Sequence, residues 1–123
     1  MKRFINYHLP VLLYAGLIVT FSSIPNLKTP KIIDLQVDKV AHFFEYAILA
    51  FLSHRSLIHL ESKTASRYAY HFSAIFVAIF AALDELHQCS VPGRDAGLGD
   101  LSMDLAGAAL VLILLWYRGK DRN

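Results

Sequence analysis

Most of the residues able to do acid–base or coordination chemistry fall in three short stretches. In the first, Asp38, His42 and Glu45 recur at i, i+4 and i+7, with Lys39 and Tyr46 beside them. That spacing lays all three along one stripe of a helix. In the second, Asp84, Glu85, His87 and Gln88 crowd together, and in the third Asp100 and Asp104 stand one helical turn apart. Arg94 and Asp95 lie between the second and third. Carboxylates set near imidazoles can transfer protons or hold a divalent cation. An arginine's planar fork suits a phosphate or carboxylate.

The elements that position these groups are greasy. Phe72–Leu83 and Leu105–Tyr117 are apolar all the way round, and hydrophobic residues make up 55% of the 123-residue chain against 18% charged. A helix without a polar face is surrounded by protein or lipid. Four helices of this length cannot bury one another completely, so lipid must cover the rest. The reading is an all-α polytopic membrane protein, one domain over 1–123, with a four-transmembrane-helix bundle at about 9–24, 39–57, 68–88 and 101–118. Such helices span about 24–32 Å, close to the thickness of a hydrocarbon core. Pro25 and Pro30 end the first; Pro92, Gly93, Gly97 and Gly99 make a loop between the last two.

Basic residues orient the bundle. With the N-terminus cytoplasmic, that side carries Lys2, Arg3, Arg55, Lys63, Arg67, Arg118, Lys120 and Arg122, against Lys28, Lys31, Lys39 and Arg94 outside. Both termini are therefore expected in the cytoplasm of a multi-pass inner (plasma) membrane protein. The first 25 residues resemble a signal peptide, but Ser22–Ser23–Ile24–Pro25 lacks a small-x-small cleavage site, so an uncleaved anchor is expected. Most acids, including Asp34, then fall at the outer side; Glu61 and Asp121 do not. The net charge of +2 is scattered beside apolar runs, which excludes a nucleic-acid face. Cys89 is alone and supports neither a disulfide nor a cysteine metal site.

Structural roles compete with chemical ones. Asp38 and Asp100 are placed as helix N-caps, Lys39 at headgroup level, and His42 as a core histidine bonded to a carbonyl. His8, His54, His59 and His71 are assigned to the cytoplasmic interface. Glu45 and Asp104 resist such readings, because ionisable groups about 10 Å and 6 Å inside a span face a cavity or a partner. Asp84 and Glu85 sit at a helix C-terminus, where the macrodipole disfavours negative charge; Lys39 and Arg94 are the expected compensation. Gly107 is expected to let a neighbouring helix approach closely.

The ordered segments Asp38–Lys39–Val40–Ala41–His42–Phe43–Phe44–Glu45–Tyr46, Leu83–Asp84–Glu85–Leu86–His87–Gln88, Val91–Pro92–Gly93–Arg94 and Asp100–Leu101–Ser102–Met103–Asp104–Leu105–Ala106–Gly107 resemble the VanZ-like family of small bacterial membrane proteins. The family pattern has the form D-K-x-x-H-x-x-x-Y, then D-E-x-x-Q-x-x-x-P-G-R, then D-x-x-x-N-x-x-G. Asp104 stands where that pattern has asparagine. The resemblance carries over Asp38, Lys39, His42, Tyr46, Asp84, Glu85, Gln88, Arg94, Asp100 and Gly107. It implies a cell-envelope role like that of the founding member, which is associated with resistance to the antibiotic teicoplanin. Many relatives occur outside any resistance cluster.

The leading functional reading is an outward-facing polar pocket that binds or processes a membrane lipid, a lipid-linked envelope precursor or a lipoglycopeptide. His42 and Glu85 are the candidate acid–base pair. Asp38, Lys39, Tyr46, Asp84, Gln88, Arg94, Asp100 and Asp104 are the candidate ligand-binding residues. No cofactor is assigned. A metal site built from His42, Glu45, Asp84, Glu85 and His87 and an ion- or proton-coupled transporter are the alternatives. A homo-oligomer or a protein partner docked on the polar face is a further reading.

Overall fold

A computed structural model describes residues 1–26, 34–94 and 96–120, with side chains from position 37 onward in the second stretch. Lys28, Pro30, Lys31, Asp95, Asp121, Arg122 and the Asp34 side chain lie outside the described residues. The described chain is all-helical: a π-helical turn (Phe4–His8) running into α1 (Leu9–Ser22), then α2 (Asp34–Ile58), α3 (Lys63–Arg67), α4 (Ala69–Ser90) and α5 (Leu98–Lys120).

The boundaries depart from the sequence expectation for local reasons. Pro10 has no N–H to donate, and the helix passes it with a wide turn in which the Leu9 N–H bonds the Phe4 carbonyl. This carries the first helix back to Phe4. Helix α2 starts a turn before the expected Lys39, so Asp38 lies within it and is not its N-cap. Asp100 likewise falls inside the first turn of α5, where its charge suits the positive end of the helix. Helix α3 is an extra element. The Ser62 hydroxyl accepts from Ala65 N–H and caps it.

Helix α2 is the centre of the bundle and packs against the π turn and every other helix. Its inward face carries His42, Tyr46, Leu49, Ala50, Ser53 and His54. Helix α4 turns Ala69, Ser73, Val77, Ala81, Asp84, Glu85 and Gln88 inward, one face at steps of three and four. Helix α5 does the same with Asp100, Asp104, Gly107, Ala108 and Leu112. Each buried face is apolar at mid-length and gathers polar groups towards one end, with Ser53, His54 and Ser73 buried towards the other.

The outer surface is the reverse of a soluble protein's. Leu13, Leu17, Ile75, Ile79, Leu83, Leu110 and Ile113 all project outward, from 46% to 64% exposed. So large a continuous apolar surface requires a non-aqueous surrounding. Three helices, Phe4–Ser22, Ala69–Ser90 and Leu98–Lys120, are long and apolar enough to cross a membrane. Helix α2 is not among them, because its polar stripe and the His54–Arg55 pair dilute its hydropathy. It is also the helix most enclosed by the others.

The α2–α5 seam is closed by a missing side chain. A Cβ on Gly107 would overlap the Phe43 carbonyl oxygen, so only glycine permits this approach. Backbone cannot move aside as a flexible side chain can. Gly107→Val should therefore destabilise the bundle by about 3 kcal/mol or more, read as a lower unfolding midpoint in detergent and loss of α2–α5 crosslinking; wild-type stability in this variant would mean that the seam is not as described.

Candidate functional site

The polar ends of the buried faces meet at one end of the bundle in two linked groups. The first lies between α1, α2 and α4. The Tyr46 hydroxyl donates to Asp84 Oδ2 at 3.0 Å, and the Gln88 amide donates to the same oxygen at 3.1 Å and to the Ser22 hydroxyl at 3.2 Å. Tyr46 is wholly buried, and Ser22, Asp84 and Gln88 nearly so. Asp84 is thus compensated by neutral donors, Tyr46 and Gln88. The expected charged partners, Lys39 and Arg94, are not the groups on this oxygen. Asp84 Oδ1 is buried without a hydrogen bond.

The second group lies between α2 and α5. His42 Nδ1 is 2.8 Å from Asp104 Oδ1, a hydrogen bond in which the ring donates. His42 is 7% exposed and Asp104 1%. Its partner is a carboxylate, so the reading of His42 as a core histidine on a backbone carbonyl is wrong. Asp104 Oδ2 has no donor. The Nδ1 bond fixes the ring and leaves Nε2 facing away from Asp104. One turn towards the helix ends, Asp38 and Asp100 join His42: one ligand atom from each of the three lies within 4.8 Å of the others. A cation could be held by these three, a different set from the five residues weighed on sequence. Lys39 lies along the start of α5, its Cε 3.2 Å from where a Cβ on Gly99 would stand.

Glu85 lies at the same end of the bundle, on α4 next to Asp84. Its Oε1 accepts the Gly97 backbone N–H in the loop before α5, and its Oε2 is buried without a partner. A backbone donor therefore meets the carboxylate at this helix C-terminus. Glu85 and His42 share the same end of the bundle but each has its own partner. Glu45 is half-buried on α2, and His87 is exposed and hydrogen-bonded to Ser23 at 2.9 Å.

The loop carrying Arg94 is latched to the end of α1. Asn26 N–H donates to the Pro92 carbonyl at 3.0 Å, and Arg94 Nη2 donates to the Phe21 carbonyl at 3.2 Å. Gly93 has φ of 77° and lies against Asn26, itself in the left-handed region at 55°, so the Pro–Gly–Arg segment makes a turn that a side chain at Gly93 would block. Arg94 thus has a positioning part that its chemistry alone did not suggest. Sequence reasoning missed Ser22 and Ser23 as members of the site. Their signal is a pair of hydroxyls ending a largely apolar helix, which a reading of that stretch as a cleavage motif passes over.

Removing the Tyr46 hydroxyl takes one of two donors from a buried carboxylate oxygen and leaves Gln88 alone on it. Tyr46→Phe should cost about 1–3 kcal/mol, whereas Ser22→Ala, which takes away one acceptor from Gln88, should cost less; equal unfolding midpoints for wild type and Tyr46→Phe in detergent would contradict the hydrogen bond.

The family model described as VanZ/LLP1 matches residues 4–118. No curated protein and no solved structure matches the chain.

Proposed function

This chain belongs to the VanZ/LLP1 family, and from that membership and the buried polar cluster we propose that it holds the polar headgroup of an amphiphilic cell-envelope molecule at the outer face of the inner membrane. In this reading it is a single domain of four membrane-crossing helices, both termini cytoplasmic, with α2 crossing inside the shelter of the others. The excess of basic residues at the opposite end supports that orientation.

The observation that carries the proposal is the His42–Asp104 pair, buried at 7% and 1% exposure, with Asp38 and Asp100 beside it. Polar groups sunk in apolar helices are costly and are kept where they meet a ligand or a partner. The neighbouring outward faces of α4 and α5 are apolar, so an amphiphile's tail can stay in lipid while its headgroup meets the cluster. His42, held by Asp104, is the candidate proton acceptor, and Glu85 the second candidate acid–base group. Lys39 offers a charge to a phosphate or carboxylate. Tyr46, Asp84 and Gln88 shape the floor, and Arg94 keeps the loop in place as a wall. Handling of a lipoglycopeptide, the teicoplanin-like role, falls within the same chemistry.

A second reading has a specific observation behind it. Asp38, His42 and Asp100 offer two carboxylates and an imidazole within 4.8 Å of one another; a cation taken by His42 Nε2 would leave Nδ1 to Asp104, in the manner of residues that orient a metal-bound histidine. A divalent cation there would bring a phosphate headgroup to the same place. The transporter reading is less favoured, because the mid-bundle core is Leu49, Ala50, Val77 and Ala81 and a conduit needs polar groups along its length.

Asp104→Asn separates charge from hydrogen bonding, since an amide oxygen can still accept from His42. In lipid and metabolite mass spectrometry of detergent-purified protein, wild type should retain an amphiphile that His42→Ala loses. Asp104→Asn should keep normal membrane abundance and change ligand retention or turnover by about tenfold or more, on the scale of one charge-assisted contact. Equal retention by all three proteins would refute the headgroup reading. Stoichiometric divalent metal in wild type, lost in Asp100→Asn, would favour the second.

A further inference from the structure

A second cavity, of about 330 Å³, opens at the opposite end of the bundle between α2, α4 and α5. Along α2, Arg55 is 13 residues from His42, or about 20 Å at 1.5 Å per residue. The two places are therefore physically separate. His54, Arg55 and Arg118 line this cavity together with Phe51, Tyr70 and Leu115. No carboxylate lines it among the described residues.

Among the described residues, its polar groups lack what would normally neutralise them. His54 is 7% exposed, lies against the Tyr70 ring at 4.3 Å, and has its Nε2 buried without a hydrogen-bond partner. An interfacial histidine would satisfy that nitrogen with water; this one is enclosed. Arg118 is exposed at the end of α5, and no described acid forms an ion pair with it. The Arg55 guanidinium sits 5.1 Å over the Tyr7 ring, an aromatic contact that leaves its charge uncancelled. The only described lysine or arginine ion pair at this end is Arg3 with Glu61, which does not line the cavity. The walls are aromatic and aliphatic, suited to the glycerol and upper acyl carbons of a lipid.

We propose that this cavity binds the phosphodiester headgroup of an anionic phospholipid, with Arg55 and Arg118 clamping the phosphate above the buried His54 ring. Guanidinium pairs match phosphate oxygens geometrically, and basic pockets between helices on the cytoplasmic side are suited to anionic lipid headgroups. The site is independent of the headgroup cluster at the other end.

Native mass spectrometry of the detergent-purified full chain tests it, using phosphatidylglycerol, phosphatidylcholine and inorganic phosphate as separate probes. Wild type should retain phosphatidylglycerol in preference to phosphatidylcholine. Arg118→Gln should weaken that retention about fivefold and Arg118→Glu should abolish it, both with an unchanged unfolding midpoint because Arg118 is exposed. Arg55→Gln should weaken it similarly, but Arg118 carries the test, since Arg55 also packs on Tyr7. Equal retention of the two lipids, undiminished phosphatidylglycerol binding in Arg118→Glu, or displacement of the lipid by millimolar inorganic phosphate would overturn the proposal.

Discussion

A polar group surrounded by apolar helices must find its partner within the chain, and this constraint organises the molecule. Asp84, Asp104 and Glu85 are buried where they lie, and Tyr46, Gln88, His42 and the Gly97 N–H are brought to them. Those meetings need close helix approach, which Gly107 and the alanines of the inner faces allow. They also need the most polar helix at the centre. Helix α2 could not be placed on the periphery without exposing His42 and Tyr46 to lipid.

The two ends of the bundle resolve the constraint differently. At one end, acids and an imidazole are knitted together, and a few oxygens are left over: Asp84 Oδ1, Glu85 Oε2 and Asp104 Oδ2. At the other, the leftover group is an imidazole nitrogen beside two guanidiniums. Between them the core is Leu49, Ala50, Val77 and Ala81, with Ser53 and Ser73 hydrogen-bonded to each other at 3.4 Å. This apolar layer keeps the acidic and basic ends apart.

The arrangement along each helix was legible in the sequence, because a spacing of three and four puts Asp38 with His42, and Asp100 with Asp104, on single faces whatever surrounds them. The inside-out character was legible in the two runs without a polar face. The pairing between helices was not. Nothing in the local pattern says that His42 meets Asp104 and not Glu85, since that depends on where α5 crosses α2, and the crossing is set by Gly107 against the Phe43 backbone. Helix starts were misread for a similar reason: Asp38 looks like a cap only if the helix begins at it, and the preceding residues continue the helix. His54 was placed at the interface on its sequence position, whereas its burial follows from Tyr70 and α5 closing over it.

The centrality of α2 also bears on how the chain is made. A ribosome delivers α1 and α2 before α4 and α5 exist, so the helix with the weakest affinity for hydrocarbon emerges when only α1 is available to cover it. Its imidazole and tyrosine hydroxyl must wait for carboxylates encoded some forty to sixty residues later, as the separations of 38 between Tyr46 and Asp84 and 62 between His42 and Asp104 record. Until then those groups have no partner in the chain, and assembly of the bundle is completed from its C-terminal half.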